Sequence, residues 1–201
     1  MQLAFVAQLS TLTLLVLAPE RLSAQDRDHA KAIAAAVLPL PTPLRSGAGV
    51  VRFDASGRPE VWRAGTNGMT CLADRPGDEW FDVRCYQDGF IGVLYRARAL
   101  YAAGVADTLV ERTIDSEIRS GALAVTREPT AGYRMLGPIA GYDSLLNTVS
   151  DTIDAWQSIH LPYRTAPALA IPTNENGTHH YVMASGTYWA HVMIMQRPLR
   201  Y

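Results

Sequence analysis

The sequence contains a single lysine, only two cysteines and no apolar run of bilayer length. With Lys31 the sole lysine, positive charge rests on arginines scattered along the chain, and acidic residues bring the net charge to −1. Such interspersed charge offers no basic stripe for nucleic acid and no polybasic segment for anionic lipid, so neither partner is expected. The apolar run Leu9 to Ala18 falls short of the roughly 20 residues that a membrane helix takes, and no later segment exceeds it. Signatures of catalysis are missing as well. The chain has no G-x-S-x-G elbow, no H-E-x-x-H, no phosphate loop and no dinucleotide fingerprint, so no metal or cofactor is expected.

What is present begins with a leader. A short apolar core followed by Leu22-Ser23-Ala24 reads as a signal peptide over residues 1–24, with an exported mature chain starting at Gln25. Export is consistent with the cysteine count, because two cysteines in an oxidising compartment are most simply one disulfide. Cys71 and Cys85 flank the turn Arg75-Pro76-Gly77-Asp78 and are expected on neighbouring strands, clamping a β-hairpin. A second hairpin is expected across Asn67-Gly68, with Val61 and Trp62 before the turn and Met69 to Leu72 after it. The expected location is periplasmic or extracellular, with no integral membrane segment after cleavage.

Period and punctuation give the remaining elements. An alanine-rich helix should run through HAKAIAAAVL, and Pro39, Pro41 and Pro43 should end it in an extended connector, making residues 25–43 a separate N-terminal piece. Residues 44–201 read as one α+β domain. GVVRF and Glu60 to Arg63 are strands, and Val93, Leu94, Ala97, Leu100 and Tyr101 mark one face of a helix stopped by Gly104. Val110, Ile114 and Ile118 mark a second helix, ending at Gly121. GYRML is a strand, whereas residues 143–160 fit a helix in their first part and a strand towards His160. Proline returns at Pro162, Pro167 and Pro172 in a surface loop reaching Asn176-Gly177, where Asn176-Gly177-Thr178 forms a sequon. HYVMASGTYWAHVMIM closes the chain as a β-hairpin. The predicted architecture is an antiparallel sheet with a disulfide-clamped hairpin and two or more packed helices.

GTNGMTCLAD with RCY, then GYRML, LPYRTAPALAIPT and YVMASGTYWAHVMIM, resemble a family of uncharacterised exported bacterial proteins. That family combines a GTNG-x-x-C segment with a C-terminal GT-x-x-x-H-x-M-I strand. The resemblance implies export and one domain, and carries no activity with it.

Candidate chemistry gathers in the last quarter, at His160, Glu175, His179, His180 and His191. Imidazole and carboxylate suit acid–base work near neutral pH, although His179 and His180, being adjacent on a strand, point to opposite faces. With an even-numbered hairpin loop His180 and His191 share a face. His191 lies in an otherwise apolar strand, where its ring nitrogens need partners. Tyr133, Trp156 and Tyr181 are candidate walls of a ligand pocket, or else core and rim. The expected function is therefore a non-enzymatic domain that binds a small molecule or an envelope protein. The alternative is a hydrolase of an unrecognised type using His191 or His180.

Overall fold

The computed structural model describes residues 24–173 and 180–195. Residues 1–23 of the expected leader, Glu175, His179 and the sequon at Asn176 lie outside the described residues. The first helix, α1 (Ala24–Ala36), carries Asp26 in its first turn, where an acidic group favours the positive end of the helix dipole. The proline stretch after it is no extended connector. Val37, Leu38 and Leu40 are buried, and Pro43 opens a short helix, α2 (Thr42–Arg45), because a proline costs nothing in a first turn. Arg45 holds the segment down by donating to the carbonyls of Leu38 and Leu40.

Eight strands form one sheet: β1 (Gly49–Phe53), β2 (Pro59–Arg63), β3 (Met69–Leu72), β4 (Trp80–Gln87), β5 (Thr130–Pro138), β8 (Asp154–His160), β9 (His180–Met183) and β10 (His191–Met195). Their order is β2-β1-β3-β4-β5-β8-β10-β9, antiparallel throughout except where β1 and β3 run parallel. That exception corrects the hairpin expected across Asn67-Gly68. β1 stands between β2 and β3, and the chain returns past its start with Gly65 against Gly49. A Cβ on Gly65 would lie 2.7 Å from the Gly49 amide nitrogen. Asn67 does not close a ladder there; its Nδ2 donates to the Leu44 carbonyl and its Oδ1 accepts from the Met69 amide.

The clamped hairpin is β3–β4. Cys71 and Cys85 are directly opposite, at disulfide distance and fully buried. For a closed loop of this size the chain-entropy account gives about 3 kcal/mol.

Two helices pack on the front face of the sheet, α3 (Asp88–Ala102) and α4 (Asp107–Ser120), the latter ended by Gly121 in the left-handed conformation (φ 79°). Val93, Leu94 and Leu100 meet Val110, Ile114 and Ile118 over Val51, Leu72 and Tyr86. The back face is covered in two places. α1 lies over Val50, Cys71 and Cys85, and the short α5 (Ala166–Leu169) lies near Val182 and Val192.

The helix expected at the start of residues 143–160 does not form. A two-stranded ladder, β6 (Tyr142–Asp143) with β7 (Thr148–Val149), stands there instead. Asp143 Oδ1 accepts from the amides of Leu145 and Leu146, and Asn147 takes a positive φ of 51°, so a side-chain-closed turn displaces the helical bonds. The apolar residues that suggested a helix, Leu145 and Leu146, are 85% and 73% exposed.

Candidate functional site

The helices α3 and α4 leave part of the front face bare. Because side chains alternate along a strand, the front-face residues at the edge of this helical cover fall into rows across β4, β5, β8, β10 and β9, several of them buried. One row is Arg84, Arg134, Trp156 and Met195; the next is Tyr86, Gly132, Ser158, Met193 and Tyr181; a third is Thr130, His160, His191 and Met183. All of these except Gly132 and Thr130 line a cleft of about 280 Å³, to which Trp189 adds a wall. A second, wider cleft of about 880 Å³ lies on the other side of Arg84, between that row and Arg98 of α3.

Arg84 separates the two clefts as part of an ion triad. Asp82, two residues before it on the same face, receives the Nε and Nη2 donors of both Arg84 and Arg134. Burial alone would raise the Asp82 carboxyl, but the two guanidiniums win and bring it down to about 2. One carboxylate thus stands against two guanidiniums. The charges divide unevenly between the clefts. The wide cleft carries Asp54, Asp74, Asp78 and Asp82 against Arg52, Arg75, Arg84 and Arg98. The smaller one is lined by Arg84 and Arg134 and by no carboxylate among the described residues. Asp82 and Asp154 stand one row back, beside Leu136. Arg134 also lies over the Trp156 ring, 5.2 Å from its centroid.

The floor of the smaller cleft is shaped by Gly132. A Cβ there would come within 2.4 Å of Ser158 Oγ and 3.1 Å of His160 Nε2, so glycine is what lets both side chains lie across β5. Ser158 Oγ and His160 Nε2 are 3.1 Å apart. This pair lacks what a hydrolase needs. His160 Nδ1 has no hydrogen-bond partner, so no acid orients the ring. Burial, with the neighbouring His191 second, brings the His160 ring down to about 3, far too weak a base to take a serine proton at neutral pH. The ring stacks on Phe90 (4.2 Å) and on His191 (4.9 Å), as a core aromatic would.

His191 is different. Its Nδ1 lies 2.7 Å from the Trp189 carbonyl, which fixes the proton on Nδ1 and leaves Nε2 as the lone-pair nitrogen. Burial lowers this ring too, against the raising effect of that hydrogen bond.

Of the residues singled out in the sequence, Trp156, His160, Tyr181 and His191 meet at this cleft. His180 and His191 do not share a face. The loop between β9 and β10 has an odd number of residues, His180 pairs with Ile194, and its side chain is exposed on the back of the sheet. Tyr133 borders the cleft, yet the pleat sends its side chain to the back, opposite Cys85 and against the α1 cluster. Sequence reasoning missed Asp82, Arg84, Arg134 and Ser158. For Asp82, Arg84 and Ser158 the signal was the two-residue period of Asp82-x-Arg84-x-Tyr86 and Trp156-x-Ser158-x-His160, which sets each trio on one face; Arg134 joins them only through strand register. Among the described residues no cluster of three or more His, Cys, Asp or Glu could hold a metal ion, and no helix is long and apolar enough to cross a membrane.

No family model, curated protein or solved structure matches this chain. Its site is therefore read from its own geometry.

Proposed function

We propose that this chain is an exported bacterial binding domain, akin to the exported family its motifs resemble, that holds a small ligand in the cleft between Arg134 and His191 and performs no chemistry on it. One observation carries the reading. Beside the helices the sheet face over β5, β8 and β10 forms one concavity lined by two guanidiniums, two tryptophans, a serine and two imidazoles. At about 280 Å³ the cleft suits a small molecule rather than a polymer. The Cys71–Cys85 pair fits an oxidising compartment, and so supports periplasmic or extracellular residence.

Protein purified without denaturation from its native host should retain a small molecule detectable by native mass spectrometry, and Trp156→Ala should release it while keeping the fold. A chain that retains nothing, and whose Trp156, Ser158 and His191 resonances are unmoved by any member of a broad small-molecule library, would refute the reading. A second reading, a hydrolase with His191 as its base, is favoured by the lone-pair Nε2 that the Trp189 hydrogen bond leaves. Turnover of the retained molecule that His191→Gln abolishes in a folded protein would select it.

A further inference from the structure

We infer that the ligand of the smaller cleft is a carboxylate with a short apolar tail, its head on Arg134 and Arg84 and its tail along Met193, Met195 and Trp156. The inference rests on the binding reading above and adds the chemistry of the ligand.

The head follows from charge and geometry. Arg134 and Arg84 both spend their Nε and Nη2 donors on Asp82, and Arg134 has no second acceptor among the described residues. Within this triad two guanidiniums face one carboxylate, and among the described residues the cleft wall supplies no carboxylate of its own to offset the excess positive charge. Both arginine side chains are about three-quarters buried, at 24% and 25% exposure, so solvent compensates that charge only in part. A planar carboxylate matches the fork of a guanidinium and brings one negative charge. A phosphate monoester would bring nearly two and overcompensate.

The tail follows from what lies beyond the head. Arg134, Trp156 and Met195 are consecutive in one row, with Met193 and Tyr181 in the next and Met183 after them. Three unbranched thioethers beside an indole make a polarizable surface that adapts to a chain without fixed shape. Among the described residues no charged side chain interrupts it: His160 and His191 are held neutral by burial. A polar ligand such as a sugar would need hydrogen-bond partners along this stretch, and the methionines offer almost none.

Octanoate, octyl phosphate, octanol and octylammonium share one tail and differ only at the head. Isothermal titration of the exported chain at neutral pH should show saturable binding of octanoate, weaker binding of octyl phosphate and octanol, and none of octylammonium. Arg134→Gln should weaken octanoate on the order of tenfold and leave octanol unchanged. If that variant fails to fold, the head-group series on the parent protein still decides. Octanol or octyl phosphate binding as tightly as octanoate overturns the inference while leaving the cleft a binding site. A retained native ligand that is neutral or cationic does the same. Absence of any saturable binding in the series, together with no retained native ligand, overturns the inference and the binding reading alike.

Discussion

At the scale of single residues the least economical group is His160. It is 2% exposed, pairs with Ser158 through one nitrogen and leaves the other without a partner. A buried polar atom without a partner costs about 1–3 kcal/mol, more than its one hydrogen bond returns. Replacing both members of the pair by apolar groups therefore differs from removing one. The double variant His160→Phe/Ser158→Ala keeps an aromatic ring between Phe90 and Tyr86, and it should match or exceed the parent in urea stability at neutral pH. Ser158→Ala alone strands both ring nitrogens and should lose about 1–3 kcal/mol. Equal losses in the two variants would show that the pair is a net stabiliser. His191 does not invite the same change, because its Nδ1 already has the Trp189 carbonyl and its other nitrogen belongs to the cleft.

At the scale of elements, legibility tracked how local the determining interactions are. The helix α4 was readable because Val110, Ile114 and Ile118 recur every four residues, and these are the residues that the fold buries, at 1%, 0% and 8% exposure. Ile114→Ala should accordingly cost about 2–5 kcal/mol by urea denaturation. A loss below 1 kcal/mol would mean that α4 is not fastened through this stripe. The clamped hairpin was readable for a similar reason, since its turn and its two cysteines lie within one short stretch. The expected hairpin across Asn67-Gly68 misled because Gly65 meets Gly49, a contact between residues far apart in sequence that the turn dipeptide does not encode. In the stretch after Tyr142, helical periodicity competed with the Asp143 carboxylate for the same backbone amides, and the carboxylate won. The cleft was half legible. Trp156, Tyr181 and His191 stand out by residue type, but the pairing of Arg84 with Arg134 exists only through strand register.

At the scale of the whole molecule, buried titratable groups couple the fold to pH. His160 sits near 3 when folded and His191 is also lowered, whereas a free imidazole titrates near 6.5. Below about 6.5 the unfolded chain gains protons that these folded rings refuse, so stability falls as pH falls, until the folded values are reached. Asp82, brought down to about 2 from an ordinary value of 3.8, acts in the same direction but only at lower pH. Asp74, raised by burial, works the opposite way as acid is added. The histidine window thus opens first, before most carboxylates protonate. Unfolding free energy measured in urea should decline between pH 6.5 and pH 4, by up to about 1.4 kcal/mol per pH unit for each fully depressed imidazole. The double variant His160→Phe/Ser158→Ala should flatten that decline, because the ring responsible for the larger share is gone, while the loss at lower pH through Asp82 persists. A parent protein equally stable at pH 7 and pH 4 would contradict the burial of these rings. An unchanged slope in the double variant would move the acid sensitivity away from His160.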